Sequence, residues 1–238
     1  MSTITAGYDF FETPPGGADL NILHAFPIPA DFFHKGSARF VGPIHFDGHP
    51  IGEFTDPRTG KKHKAGTTDT VVHRKSDVVI KGNSGSGTTE IELVRLSLRS
   101  SAPIEVQVGH HVQLWDVYVS QSSSKPSTGT MTITQTNDSG GHFAATFHVA
   151  PLIRFAARHG EERHLDIGAL GVPAEKQALL VRLSVMEANE VPWEQSPPEG
   201  ESALVLPGVT SNFRLVGNGA LLGPFHSHII YRNAVLPV

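Results

Sequence analysis

Apolar and polar residues alternate along much of this chain with the two-residue period of strands. In 104–108 Ile104, Val106 and Val108 alternate with Glu105 and Gln107, and in 141–149 Phe143, Ala145, Phe147 and Val149 do the same. Both segments are expected as half-buried antiparallel strands. Between 88 and 99 the apolar set starts with Ile91 and Leu93, then moves by one residue to Val94, Leu96 and Leu98, which predicts a bulge or corner near Leu93. A similar slip falls between Leu114 and Trp115, after which Trp115, Val117 and Val119 are in phase. Repeated slips suit a curved sheet or a strand that passes between two packed sheets.

Turn-forming clusters divide these segments. Asn137-Asp138-Ser139-Gly140-Gly141 joins 130–136 to the Phe143 strand, and Arg158-His159-Gly160-Glu161-Glu162 joins 152–157 to 164–167, so both pairs are expected as hairpins. The Ser-rich run 120–129 reads either as an interdomain linker or as the long loop of a hairpin, and the strand patterns beside it favour one continuous domain. In 174–190 Ala-Glu-Lys-Gln opens like a helix after Pro173, whereas Leu179, Val181, Leu183 and Val185 alternate as in a strand, which is the preferred reading. The expected fold is all-β: an antiparallel β-sandwich, jelly-roll-like or immunoglobulin-like, forming a single domain over 1–238.

Residues 1–40 are expected as an extended, irregular N-terminal arm. Eight of the thirteen Phe lie in the first 54 residues, at 10, 11, 26, 32, 33, 40, 46 and 54, interleaved with Pro14, Pro15, Pro27, Pro29, Pro43 and Pro50. So many prolines do not suit a central strand, and so many aromatics are not left in water. The arm therefore packs either over its own sandwich or on a neighbouring subunit, completing a sheet edge in trans. The second alternative is the basis for expecting a homo-oligomer or an assembly through the arm.

Composition narrows the partners. A chain of 238 residues that is 39% hydrophobic and 18% charged has the material for a core, and its formal charge of -4 gives no field that gathers nucleic acid. The one basic cluster, 58–64 (RTGKKHK), is expected as a solvated loop. No apolar run approaches the roughly 18 residues of a membrane span, and 1–7 shows neither the basic start nor the apolar stretch of a leader. With no cysteine, any metal must be held by His, Asp, Glu or water.

Nucleophile motifs do not hold up. Asp138-Ser139-Gly140-Gly141 has the composition of a hairpin turn, and Gly82-Asn83-Ser84-Gly85-Ser86-Gly87 lacks a glycine two residues after Ser84 and leads into a strand instead of a helix. The fourteen histidines are more discriminating. His142 and His148 share a strand face but lie about 20 Å apart, and the adjacent His110 and His111 point to opposite faces unless a turn follows Gly109. His226 and His228 project from one face about 7 Å apart, within reach of one divalent ion, with a third ligand still to come from a neighbouring strand. Apart from a divalent metal at His226 and His228, no cofactor is expected. His24, His34, His45, His49, His63, His73, His159 and His164 receive no role.

The runs GYDFFETPPGGADLN with FPIPADFF, TTDTVVHRK, EIELVRLSLRSSAPIEV and STGTMTITQTNDSGGHF cover most of 7–155 in that order. Together they resemble a group of uncharacterised, β-rich bacterial proteins, many of them exported. The resemblance implies a shared β fold and an extracytoplasmic or secreted setting, and it implies no activity. Two classes of function follow. The first is a non-enzymatic extracytoplasmic structural or surface-assembly protein, and the second a metal-dependent enzyme or metal-binding protein with a histidine-held ion. A glycan-binding module is a further alternative, and the balance leans away from an enzyme.

Overall fold

The computed structural model describes residues 2–13, 15, 18–22, 27–57, 60–82, 84–138, 140–169, 185–195, 213–215 and 225–227. Most of the described residues lie in strands and none in a helix, and no sheet formed by them closes on itself. In chain order the strands are β1 (Ser2–Ile4), β2 (Gly7–Phe11), β3 (Ala18–Ile22), β4 (Gly42–Gly48), β5 (Gly52–Thr55), β6 (Lys62–Gly66), β7 (Thr70–Arg74), β8 (Val78–Ile80) and β9 (Gly85–Ser100). They continue with β10 (Ile104–Val108), β11 (His111–Gln121), β12 (Ser127–Asn137), β13 (Gly140–His148), β14 (Pro151–Ala157), β15 (Glu162–Asp166), β16 (Val185–Gln195), β17 (Phe213–Leu215) and β18 (Phe225–Ser227).

The sixteen-residue β9 organises this architecture. Its first part pairs with β12, its middle with β7, and its last residues with β11 on one edge and β4 on the other. One ladder therefore runs β17-β16-β13-β12-β9-β7-β2 and a second β15-β14-β11-β9-β4-β3-β18. All pairs are antiparallel except β18 with β3. Where the two ladders meet, Leu93 lies opposite Val72 and Arg95 opposite Val71, so Val94 has no partner on β7. This is the bulge expected from the slip near Leu93, and it explains the pattern. Ile91, Leu93, Leu96 and Leu98 all enter the main core, whereas Val94 turns to a second cluster with Phe54, Ala65 and Val71 beneath the β5–β6 hairpin.

The first ladder is strongly curved. β2 and β13 stand four strand spacings apart, about 19 Å in a flat sheet, yet the rings of Phe11 and Phe143 lie 6.4 Å apart. The second slip expected in the sequence has no counterpart. β10 and β11 pair from Ile104↔Trp115 to Val108↔His111 without a register shift, and half-exposed Val112 and partly buried Leu114 lie on the side of β11 opposite Trp115 and Val117.

Three further expectations change. The run 120–129 is neither a linker nor a hairpin loop, because β11 and β12 pair with different parts of β9 and the chain crosses from one ladder to the other between them. Within the basic cluster, Lys62–Gly66 is a strand paired with β5, although Lys61, Lys62 and Lys64 are exposed as expected. The N-terminal segment supplies strands to both ladders through β2 and β3. Beyond them Phe33 is fully buried, its ring 5.2 Å from both Trp115 and Phe155 and 6.2 Å from Phe40. In this stretch Pro15, Pro27, Pro29 and Pro50 fall between strands and Pro43 near the start of β4, positions that proline tolerates. The 137–141 and 158–162 hairpins form as expected, whereas the ambiguous run is described only from Val185 onward, as β16, and 174–184 lie outside the described residues.

Phe33, with Phe32 beside it on Phe155, anchors the N-terminal segment to the second ladder, and truncating Phe33 leaves a cavity between Trp115 and Phe155. Phe33→Ala should cost about 3–5 kcal/mol, measured by urea unfolding. A loss below about 1 kcal/mol would show that the segment is not part of the core.

Candidate functional site

Two buried polar centres lie on the inner side of β2 and β7. Arg74 Nε donates to Asp9 Oδ2 at 2.8 Å and Arg74 Nη2 to Asp9 Oδ1 at 3.3 Å, and Nη1 donates to the Thr5 carbonyl. Both side chains are removed from water, and burial raises the Asp9 carboxyl above its ordinary range against the lowering pull of Arg74. The second centre is Asp69. It accepts hydrogen bonds from the Thr13 amide at 2.5 Å, the Thr13 hydroxyl at 3.0 Å and the Thr70 hydroxyl at 2.6 Å. Burial raises its carboxyl too, outweighing the three hydrogen bonds. The carboxylate presses on Gly48, where a Cβ would stand 2.0 Å from Asp69 Oδ2. These centres join the N-terminal segment to β7 and β4, and they are enclosed.

The accessible chemistry lies on the outer face of the second ladder. Pairing sets Asp47 opposite Arg99, Arg99 opposite Tyr118, Tyr118 opposite Arg154 and Arg154 opposite His164, one continuous row across five strands. Their chain neighbours Phe46, Leu98, Val117, Ile153, Phe155 and Leu165 are buried, so alternation turns this row to solvent. Tyr118 is its centre. The Arg154 guanidinium lies 4.1 Å from the ring centroid and that of Arg99 5.8 Å, with the His49 ring 6.2 Å away. Arg154 Nη1 binds Glu162 Oε1 at 2.6 Å, and His164 Nε2 approaches Glu162 Oε2 at 3.4 Å; hydrogen bonding from Arg154 first, then His164, holds the Glu162 carboxyl below its usual range. Arg99 makes one long 3.3 Å contact with Asp116 Oδ1, and the Tyr118 hydroxyl makes no hydrogen bond among the described residues. The face thus offers guanidinium donors, carboxylate acceptors and an amphipathic ring in fixed order.

The histidines singled out in the sequence fall elsewhere. His226 is the middle residue of β18 and lies opposite Asp19, whose partner on β4 is His45; His228 lies outside the described residues. His142 and His148 occupy opposite ends of β13, too far apart for a common ion. A turn does follow Val108, with Gly109 at φ +57°, and both His110 and His111 are exposed there. Among the described residues no group of three or more His, Asp or Glu is arranged to hold a metal. Four histidines that received no role have defined surroundings: His34 Nδ1 lies 2.8 Å from the Lys35 carbonyl, His73 stacks on Tyr8 at 4.8 Å, His49 borders the Tyr118 row and His164 ends it. Reading along the chain could show that Tyr118 alternates with the core-facing Val117 and Val119, but the alignment of 47, 99, 118, 154 and 164 depends on pairings between distant segments. Compared with known proteins, the chain matches no family model, no curated protein and no solved structure.

Two outcomes test the buried centres. Asp9→Ala strands the Arg74 guanidinium in the core and should cost about 3–5 kcal/mol, whereas Asp9→Ala with Arg74→Met should cost clearly less; equal losses in calorimetry would remove the ion pair from the account. For Asp69, a carboxyl pKa raised on folding means that the native state retains its proton to higher pH than the unfolded chain. Its contribution is therefore fully present below the ordinary carboxylate value and is lost as pH rises through the folded value. The stability of wild type relative to Asp69→Asn should accordingly be greatest near pH 4 and shrink toward pH 7 in urea titrations, and a constant difference would contradict the assignment.

Proposed function

We propose that this chain is a non-enzymatic β-sandwich of jelly-roll or immunoglobulin-like kind that works outside the cytoplasm as a structural or surface-binding protein. A main core cluster fed by both ladders and a strand common to the two support the sandwich. The observation that carries the functional reading is the Tyr118 row, where polar side chains from five strands stand in register on one outward face. The extracytoplasmic setting rests on the resemblance of the 7–155 motifs to exported proteins. Self-association belongs to the same proposal, although Phe11 and Phe33 of the arm are already buried in their own chain.

A histidine-held divalent metal is the second reading. One observation favours it: the backbone pairing that aligns His226 with Asp19 and Asp19 with His45 in one row across β18, β3 and β4. Mass in solution together with elemental analysis of the purified protein separates the two. The first reading expects an oligomer without stoichiometric metal. Tight metal at one ion per chain, lost together with thermal stability in the double variant His226→Ala, His228→Ala, would replace it with the second.

A further inference from the structure

We propose that the outer face centred on Tyr118 binds an extended, uncharged glycan laid across the strands, an inference that rests on the surface-binding reading above and names its ligand class. The two guanidinium charges at the centre of the face are matched locally. Arg99 is partnered by Asp116, Arg154 by Glu162, and Asp47 accepts from the Ser101 hydroxyl at 2.7 Å. Asp166 is occupied by Ser124 and by the amides of Gly168 and Ala169. With both guanidiniums already held by carboxylates, such a face has little to offer a polyanion.

It has much to offer a polyol. The Arg99 side chain is 50% exposed and uses one of its five donors on a single long contact, while Asp116, 23% exposed, keeps acceptor positions beside it. A donor and an acceptor that stay together and incompletely used suit vicinal hydroxyls, which give and take hydrogen bonds at once. The Tyr118 hydroxyl adds a third free group among the described residues, and its ring supplies an apolar edge for sugar C–H groups. Strands repeat about every 4.8 Å, close to the length of one pyranose unit in an extended chain. The row of five strands therefore presents one polar side chain for each of several successive sugars. The paired ladder holds these groups in place before binding, which limits the entropy lost on association.

Affinity electrophoresis of the full chain through gels containing soluble β-glucan, mannan or polygalacturonate tests the proposal. Retardation is expected in at least one of the two neutral polymers, undiminished in high salt, and weakened about tenfold in both Arg99→Ala and Tyr118→Phe. Arg99→Ala removes an exposed side chain and Tyr118→Phe only a free hydroxyl, so both variants should fold as wild type does. Retardation by polygalacturonate alone, or abolished by salt, would overturn the neutral-glycan assignment. So would retardation unaffected by both variants, or none in any gel. An unretarded chain that still forms a metal-free oligomer would overturn the glycan site alone, whereas a chain with tight stoichiometric metal would overturn the broader reading.

Discussion

The structure depends on one strand serving two ladders. A regular strand sends alternate side chains to one face, so β9 could not keep Ile91, Leu93, Leu96 and Leu98 all in one core while its pairing partners change from β12 and β7 to β11 and β4. The extra residue at Val94 resolves this conflict. It resets the alternation, and its own side chain is used in the small cluster under the β5–β6 hairpin. A bulge also bends the strand that carries it, in keeping with the curvature that brings Phe11 to Phe143.

Burial then sets where polar chemistry can survive. Inside the fold, the buried charged groups are those that neighbours satisfy. Asp9 and Arg74 neutralise each other, and Asp69 is held by two threonines at a point where only glycine fits opposite. These residues fasten the N-terminal segment to the ladders, so their chemistry is spent on folding. On the outside the same alternation produces a different result. The faces turned from the core collect Arg, Tyr, His and acidic side chains, held in register by the backbone and only partly engaged with one another.

A division of labour between core and face also accounts for the histidine distribution. Those with defined ring partners among the described residues are dispersed: His34 on the Lys35 carbonyl, His73 against Tyr8, His49 beside Tyr118 and His164 on Glu162. A high histidine content here follows polar strand faces and turns and does not mark a single centre among the described residues.

The chain pattern alone determined the all-β class, the 137–141 and 158–162 hairpins and the bulge next to Leu93, because each is a local property of alternation or turn chemistry. It was misleading at Leu114, where apolar side chains on an outward face looked like a slip, and at 120–129, where a crossover and a hairpin loop have the same composition. It placed the N-terminal aromatics on an apolar surface but not in the strands that carry them. Tertiary structure alone decided which residues meet. Asp9 finds Arg74 65 positions away, and Asp47, Arg99, Tyr118, Arg154 and His164 form a row because five segments separated in sequence pair at particular registers. Periodicity records which way a side chain faces; what stands beside it is set by strand order and register, which depend on the packing of the whole chain.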